Sequence, residues 1–179
     1  EAINFQDLSF NLAFPLENGG EVTFFGLGGI STNVFEAQRD STLWEFSKNR
    51  FDIDFSSRMG ALGATLQLPA GRNGLWKTSF AASGLESTRT GERLDDGYTP
   101  ILAEEDELNQ SKLSLHSFYQ LKWNPQNRLR LGLVLTQTGY KITSSLAGEG
   151  IIASGNTSGA LWQPYFDLQN NLTPNLDLN

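Results

Sequence analysis

Residues 8–16 read LSFNLAFPL, and this stretch decides the class of fold. Its apolar side chains stand at every second position, as Leu8, Phe10, Leu12, Phe14 and Leu16. An alternation with a period of two is the pattern of a β-strand with one apolar face. Residues 17–20, ENGG, can adopt the positive φ angles of a tight turn, and a β-rich run then extends from Glu21 to about Phe35. The sequence therefore predicts a β-hairpin at the start of the chain.

The same alternation recurs along the rest of the chain. The residues that alternate on one side of a strand are, strand by strand, Phe51, Ile53 and Phe55 with Leu62, Ala64, Leu66 and Leu68; Trp76, Thr78, Phe80 and Ala82; Leu113, Leu115, Tyr119, Leu121 and Trp123; Leu129, Leu131, Leu133 and Leu135; and Trp162, Phe166, Leu168 and Leu172. In the third strand the apolar phase shifts by one residue, which a bulge at Gly60 or Gly63 would explain. We predict seven strands of about 12 to 18 residues. Leu176 and Leu178 begin an eighth.

The connections between these strands are predicted to alternate in length. Short turns are predicted at residues 17–20, 69–74, 124–127 and 173–175, and long polar loops at residues 36–49, 90–110 and 144–160. All the short turns then lie at one end of the strands, an asymmetry typical of bacterial outer-membrane barrels. The strands also exceed the roughly 5–6 residues usual in soluble proteins. Phe14, Trp76 and Trp123 stand beside the short turns, as expected of an aromatic girdle at a bilayer interface.

The predicted fold is therefore all-β, an antiparallel transmembrane β-barrel with short periplasmic turns and long extracellular loops. Residues 1–179 are interpreted as one barrel segment with about seven to eight strands of a larger barrel, and no plug domain is visible. Single-chain bacterial barrels have an even number of strands and place both termini on the short-turn side. The first strand begins on the long-loop side, so we expect another strand to precede it.

Composition excludes several classes of function. The formal net charge is −7, which leaves no basic stripe of the kind that binds nucleic acid. The chain has no cysteine, which excludes disulfides and thiolate metal sites. No run approaches the roughly 18 apolar residues that a membrane helix requires.

Two motifs resemble sites of chemistry and are interpreted as structural. Residues 26–29, GLGG, resemble a phosphate-binding loop, but no helix is expected after them, so we interpret these glycines as part of a barrel strand. His116 lies two residues after Ser114, a pair that a surface phospholipase could use, yet no third group is positioned beside them. We predict a lumen histidine. The chain is predicted not to be an enzyme and to have no catalytic, cofactor or metal site, and the sequence assigns no substrate-binding residue.

Two loop features are left with open alternatives. Asp95, Asp96 and residues 104–107 form an acidic cluster that could bind calcium or bridge to lipopolysaccharide through divalent ions, although a solvated loop is favoured. Trp44 and Phe46 lie in the first long loop. They are expected either to contact a ligand or a partner lipoprotein, or to fold the loop down against the protein.

Several of these segments carry a family resemblance. Residues 10–16 with the Gly-Gly turn, the hairpin segment LKWNP at residues 121–125, and the long strands resemble the barrel of TonB-dependent receptors, especially the Bacteroidetes-type subgroup. The resemblance implies a 22-stranded barrel, of which the chain would be about a third, with an N-terminal plug. It also implies energy-coupled nutrient uptake in the outer membrane of a Gram-negative bacterium. The implied partners are outer-membrane lipid and lipopolysaccharide, the TonB energy-coupling system and a surface lipoprotein.

Two other functions remain alternatives. A small independent outer-membrane barrel with a role in adhesion or stability would need only about eight strands. A soluble all-β binding module, such as a sandwich or a lipocalin-like barrel, would turn its apolar faces inward. The length of the predicted strands argues against the soluble module.

Overall fold

The computed structural model describes residues 2–124, 126–173 and 176–178. The chain forms one antiparallel sheet whose strands follow each other in chain order. The strands are β1 (Ala2–Pro15), β2 (Glu21–Phe35), β3 (Phe51–Ala70), β4 (Gly74–Leu94), β5 (Pro100–Asn124), β6 (Asn127–Leu146), β7 (Gly150–Thr173) and β8 (Leu176–Leu178). Within the described residues no strand pairing joins β1 to β8, so the sheet is open. The all-β antiparallel prediction, with seven long strands, is confirmed.

In the described ranges, helical structure is confined to two 3₁₀ turns between β2 and β3. They span Ser41–Leu43 and Ser47–Arg50. Across the described ranges, no helix has the length and apolar character needed to cross a membrane.

The predicted long loop at residues 90–110 is wrong. Strand β4 continues to Leu94 and β5 begins at Pro100, so that only residues 95–99 connect them. The Asp95 carboxylate closes this turn by accepting hydrogen bonds from the backbone N–H groups of Gly97 and Thr99, both at 2.8 Å. Acidic residues have a low β-propensity, but cross-strand pairing overrides that preference here.

The predicted long loop at residues 144–160 is also wrong. Strand β6 ends at Leu146 and β7 begins at Gly150, so the connection is residues 147–149. Gly148 and Gly150 supply the positive φ angles of this turn, at 83° and 77°. Only the connection at residues 36–50 is long, as predicted. The strands therefore account for most of the chain, and β3 to β7 have 20 to 25 residues each.

The predicted bulge at Gly60 or Gly63 is absent from the structure. Strand β3 keeps a continuous register with both β2 and β4. The shift in apolar phase is instead a change of face, because Phe51, Ile53 and Phe55 lie on the opposite side of the sheet from Leu62. Register shifts occur elsewhere, between Gly91 and Glu92, Lys122 and Asn124, Ser144 and Ser145, and Asn171 and Thr173.

The short turns between β1 and β2, β3 and β4, and β5 and β6 are found where predicted. Gly19 and Gly71 take positive φ angles of 77° and 74° in the first two. In the third, the Asn124 side chain accepts hydrogen bonds from the backbone N–H groups of Gln126 and Asn127, at 2.9 and 2.8 Å. The predicted turn at residues 173–175 lies mostly outside the described residues.

The sheet has almost no buried core. Among the described side chains, only Ala37 and Leu94 are buried hydrophobic residues. Large apolar side chains remain exposed on the strands, including Leu12 at 51% and Trp162 at 73%. An apolar surface of this extent on a protein is a surface that another phase or partner normally covers.

Candidate functional site

One face of the sheet carries a continuous apolar band. Because residues directly opposite each other on paired strands share a face, the register links one row across seven strands. The row consists of Leu12, Phe24, Ala64, Phe80, Leu115, Leu135 and Trp162. The row two residues closer to the short turns consists of Phe14, Val22, Leu66, Thr78, Ser117, Leu133 and Pro164. We call this side of the sheet the band face.

The band extends over further rows without a charged side chain. Nearer the short turns lie Leu68, Trp76, Tyr119, Leu131 and Phe166, followed by Ala70, Gly74, Leu121, Leu129 and Leu168. On the other side lie Phe10, Gly26, Leu62, Ala82, Leu113, Gln137 and Ala160. Trp76 satisfies its indole N–H within the band by donating a hydrogen bond to Ser117 Oγ at 3.0 Å. On β3 to β7 these five rows span about ten residues of each strand, at ~3.3 Å per residue, whereas β1 and β2 take part in three of the rows.

The ends of the hairpins are staggered by a constant amount. Pro15 pairs with Glu21, which pairs with Gln67, and the next hairpin ends three residues further along β3, at Ala70. The row of Ala70 leads to Leu121, and the third hairpin ends three residues beyond it, at Asn124.

This stagger defines the tilt of the strands. Three residues for every two strands is about 5 Å of displacement per strand, against a strand spacing of about 4.8 Å. If the short turns lie in one plane, the strands therefore cross that plane at about 45°. Membrane β-strands have a tilt of about 35–45°. The next step repeats the stagger, because Asn124 pairs with Asn127, Asn127 with Asn170, and the fourth hairpin closes at Thr173.

A row of small residues marks the end of the apolar band. It consists of Gly28, Gly60, Gly84, Ser111, Gly139 and Ser158. Residues 26–29, GLGG, which resemble a phosphate-binding loop in sequence, thus lie inside β2, and the strand continues after them to Phe35. A Cβ atom on Gly26 would collide with the ring of Phe10 directly opposite, so this glycine provides space for an aromatic side chain.

Charged residues begin in the row immediately beyond the small residues. That row contains Arg58, Glu86 and Lys141. Arg58 and Glu86 form an ion pair at 2.6 Å, and Lys141 lies 3.9 Å from Glu107. The band face therefore carries charged side chains from this row onward, and the strands project well beyond the apolar band.

The acidic cluster predicted in a loop is divided by the strand structure. Glu104 and Asp106 lie on the face opposite the band and form ion pairs with Arg89. Glu107 lies on the band side and accepts a hydrogen bond from the Asn109 amide at 2.7 Å. Asp96, in the turn, pairs with Arg50 at 3.2 Å. Over the described part of the chain, no group of three or more His, Cys, Asp or Glu residues is arranged to hold a metal ion.

The two aromatic residues of the long loop have different environments. Trp44 donates its indole N–H to the carbonyl of Gln38 at 2.7 Å and contacts the ring of Tyr98 at 5.7 Å between centroids. The guanidinium of Arg50 lies over the Trp44 ring at 4.5 Å. Phe46 remains 62% exposed. Trp44 thus folds the loop against the next connection, whereas the Phe46 ring stays largely exposed, with the Lys48 ammonium 5.7 Å from its centroid.

Asp40 stabilises the start of the same loop's first 3₁₀ turn. Its carboxylate accepts hydrogen bonds from the Thr42 hydroxyl at 2.7 Å and from the Thr42 backbone N–H at 3.0 Å. These bonds favour the charged form and hold the pKa of Asp40 below its usual value.

The opposite side of the sheet, which we call the polar face, contains His116. Its Nε2 atom is hydrogen-bonded to the Tyr165 hydroxyl at 2.8 Å. The Tyr165 ring occupies the space above Gly132, its direct cross-strand neighbour. Ser114 lies two residues away on the same strand, and no hydrogen bond joins it to His116 within the described residues. The histidine is thus part of an aromatic network, in which Phe118 lies 5.4 Å from it.

The polar face also carries a concentration of positive charge close to the β5–β6 turn. Lys122 and Arg128 are directly opposite each other, and Arg130 lies two residues along β6 on the same face. We call these three residues the basic cluster. The sequence alone does not indicate the cluster, because only the register shows that residues of two strands meet there.

No protein-family model matches the chain, and a search of curated proteins found no match to it.

Proposed function

We propose that the chain is part of the wall of an outer-membrane β-barrel, with its band face against lipid and its polar face toward the lumen. The observation that carries this proposal is the combination of the uncharged band with the constant stagger of the hairpin ends. The uncharged rows place apolar side chains on the same face of every strand from β1 to β7. The stagger of the hairpin ends matches the tilt of about 35–45° at which membrane β-strands cross the bilayer.

The dimensions of the band support the same proposal. About ten residues at ~3.3 Å each, inclined at about 45°, give a height of about 23 Å. The apolar belt of outer-membrane barrels is about 25 Å tall. In lipid every backbone N–H and C=O group needs a partner within the protein, so the open edges of β1 and β7 would be paired in a closed barrel.

We further propose that this barrel belongs to a TonB-dependent receptor that takes up a nutrient. The strands extend far beyond the band, and the loop at residues 36–50 holds an exposed Phe46 at that end. Such a projecting collar would provide a surface for capturing a substrate or for contacting a surface lipoprotein. The energy-coupling system and lipopolysaccharide are the other proposed partners.

The membrane assignment is tested with the chain's own tryptophans. Trp76 and Trp162 lie on the band face and are 54% and 73% exposed, whereas Trp44 lies in the loop at residues 36–50. Three variants that each keep one of these tryptophans, with the other tryptophans changed to phenylalanine, are incorporated into vesicles whose acyl chains carry bromine. We expect bromine to quench Trp76 and Trp162 strongly and to leave Trp44 unaffected. Equal emission from all three with and without bromine would refute the membrane assignment.

A second measurement separates the receptor from the small independent barrel. The native polypeptide is extracted from outer membranes with detergent, and its intact mass is recorded. A TonB-dependent receptor requires a mass several times 19.7 kDa, the mass of the present chain. A membrane protein close to 19.7 kDa would support the small barrel instead.

A further inference from the structure

The basic cluster is an arrangement that lowers stability unless something neutralises it. Lys122 and Arg128 are a directly opposed cross-strand pair, and side chains in such pairs have Cβ atoms about 4.5–5.5 Å apart. Like charges at that position repel each other. Arg130 adds a third positive charge two residues from Arg128 on the same face.

Within the described residues, no carboxylate forms an ion pair with this cluster. Asp167 is directly opposite Arg130, yet the two are not within ion-pair distance. Arg130 instead donates a hydrogen bond to the Gln120 side-chain oxygen at 2.9 Å and lies over the Phe118 ring at 4.8 Å. The Nε atoms of both Arg128 and Arg130 are inaccessible to solvent and have no hydrogen-bond partner in the structure.

Two other arginines of the sheet have carboxylate partners. Arg58 pairs with Glu86, and Arg89 pairs with two carboxylates. The chain carries an excess of acidic residues, with a formal net charge of −7. Although Asp167 lies directly opposite Arg130, no carboxylate among the described residues pairs with the basic cluster, and its uncompensated charge points to an external anion.

We infer that the basic cluster is a binding site for an oxyanion on the polar face, the phosphate or carboxylate group of a small solute. A guanidinium presents its donors in a planar fork that matches two oxygens of such a group, and two arginines on one strand can hold it from one side. Lys122 supplies a third charge from the neighbouring strand. Gln169, directly opposite Arg128, and Gln120 place amide groups beside the site that can bind polar groups of the same solute.

The site is tested by titrating the purified native polypeptide in detergent with inorganic phosphate and with citrate, by calorimetry at low ionic strength. The variants are the double change Arg128→Gln with Arg130→Gln, the fork-removing change Arg130→Lys, and the control Arg58→Gln on the band side. We expect the wild type and the control to bind with the same Kd. The double variant should bind at least about 10-fold more weakly, the Arg130→Lys variant should be intermediate, and added NaCl should weaken binding.

Three outcomes would overturn the inference. One is the absence of saturable binding by the wild type, and another is equally tight binding by the double variant. The third distinguishes the source of the anion: if phosphate does not bind and the double variant melts at a lower temperature than the control, the cluster serves an acidic side chain of the polypeptide itself. Bromine quenching measured on the same preparations reports separately on the membrane assignment.

Discussion

Replacing Leu133 by arginine places a charge on the band face close to the middle of the apolar band. Leu133 is 37% exposed and lies between Ser117 and Pro164 in its row, with no charged neighbour. A lipid-facing arginine at the midplane of an outer-membrane barrel costs about 2–4 kcal/mol. At about 1.4 kcal/mol for each factor of ten, the ratio of folded to unfolded protein should fall by about 30- to 700-fold.

Two matched variants define the direction and depth of this effect. Thr136→Arg introduces the same side chain three residues further along β6, but on the polar face between Ser114 and Leu161. In the proposed barrel this position faces the lumen and not lipid, so we expect a much smaller change there. Leu129→Arg lies on the band face close to the β5–β6 turn. Near the bilayer interface, the cost should be about 0–1 kcal/mol.

The measurement is reversible unfolding by guanidinium chloride in lipid vesicles, followed by tryptophan emission. The midpoint concentration and the slope give the free energy of unfolding for each variant. The expected order of stability is wild type, then Leu129→Arg and Thr136→Arg close together, then Leu133→Arg well below them. Equal losses for Leu133→Arg and Thr136→Arg would refute the assignment of the two faces.

Two further predictions concern local structure. Gly132→Ala should displace the Tyr165 ring and break its hydrogen bond to His116, which lowers stability by about 1–3 kcal/mol. Gly84→Ala is the control and should be nearly neutral, because its added Cβ would meet only a carbonyl oxygen at 3.7 Å. Unfolding midpoints in urea compare the two variants, and equal midpoints would contradict the packing argument. The pKa of Asp40 is lower in the folded than in the unfolded protein, so its stabilisation of the loop is fully present above the unfolded pKa and is lost as the pH falls through the folded pKa. Amide exchange of residues 40–44 measured down the acid range should show this loss, and an Asp40→Asn variant should show a weaker pH dependence.

The sequence alone was sufficient to predict the strands in which apolar and polar residues alternate. Leu113 to Trp123 and Leu129 to Leu135 form strands as predicted, because the period of two is complete there apart from Ser117. The polar and glycine-rich halves of the same strands were taken for loops. Glu, Asp, Gly and Ser have a weak intrinsic preference for strands, so single-sequence patterns could not reveal the pairing that keeps them in the sheet.

The organisation of the two faces required the register. Phe51, Ile53 and Phe55 alternate as strictly as Leu62 to Leu68, yet they occupy the other face, and the alternation alone suggested a bulge. The different environments of Trp44 and Phe46 likewise depend on tertiary contacts, with Tyr98 and Arg50 in the case of Trp44. The basic cluster combines residues of two strands and was not identified from the sequence.

The row of small residues from Gly28 to Ser158 has a mechanical consequence for the wall. Glycine positions are where β-sheets bend most readily, and here four glycines and two serines fall on one line across six strands. Bending stiffness is therefore lowest along that line. The apolar portion on one side of it and the ion-paired portion on the other can take different curvatures. In the proposed barrel, the mouth would then widen or narrow while the part within the bilayer keeps its diameter.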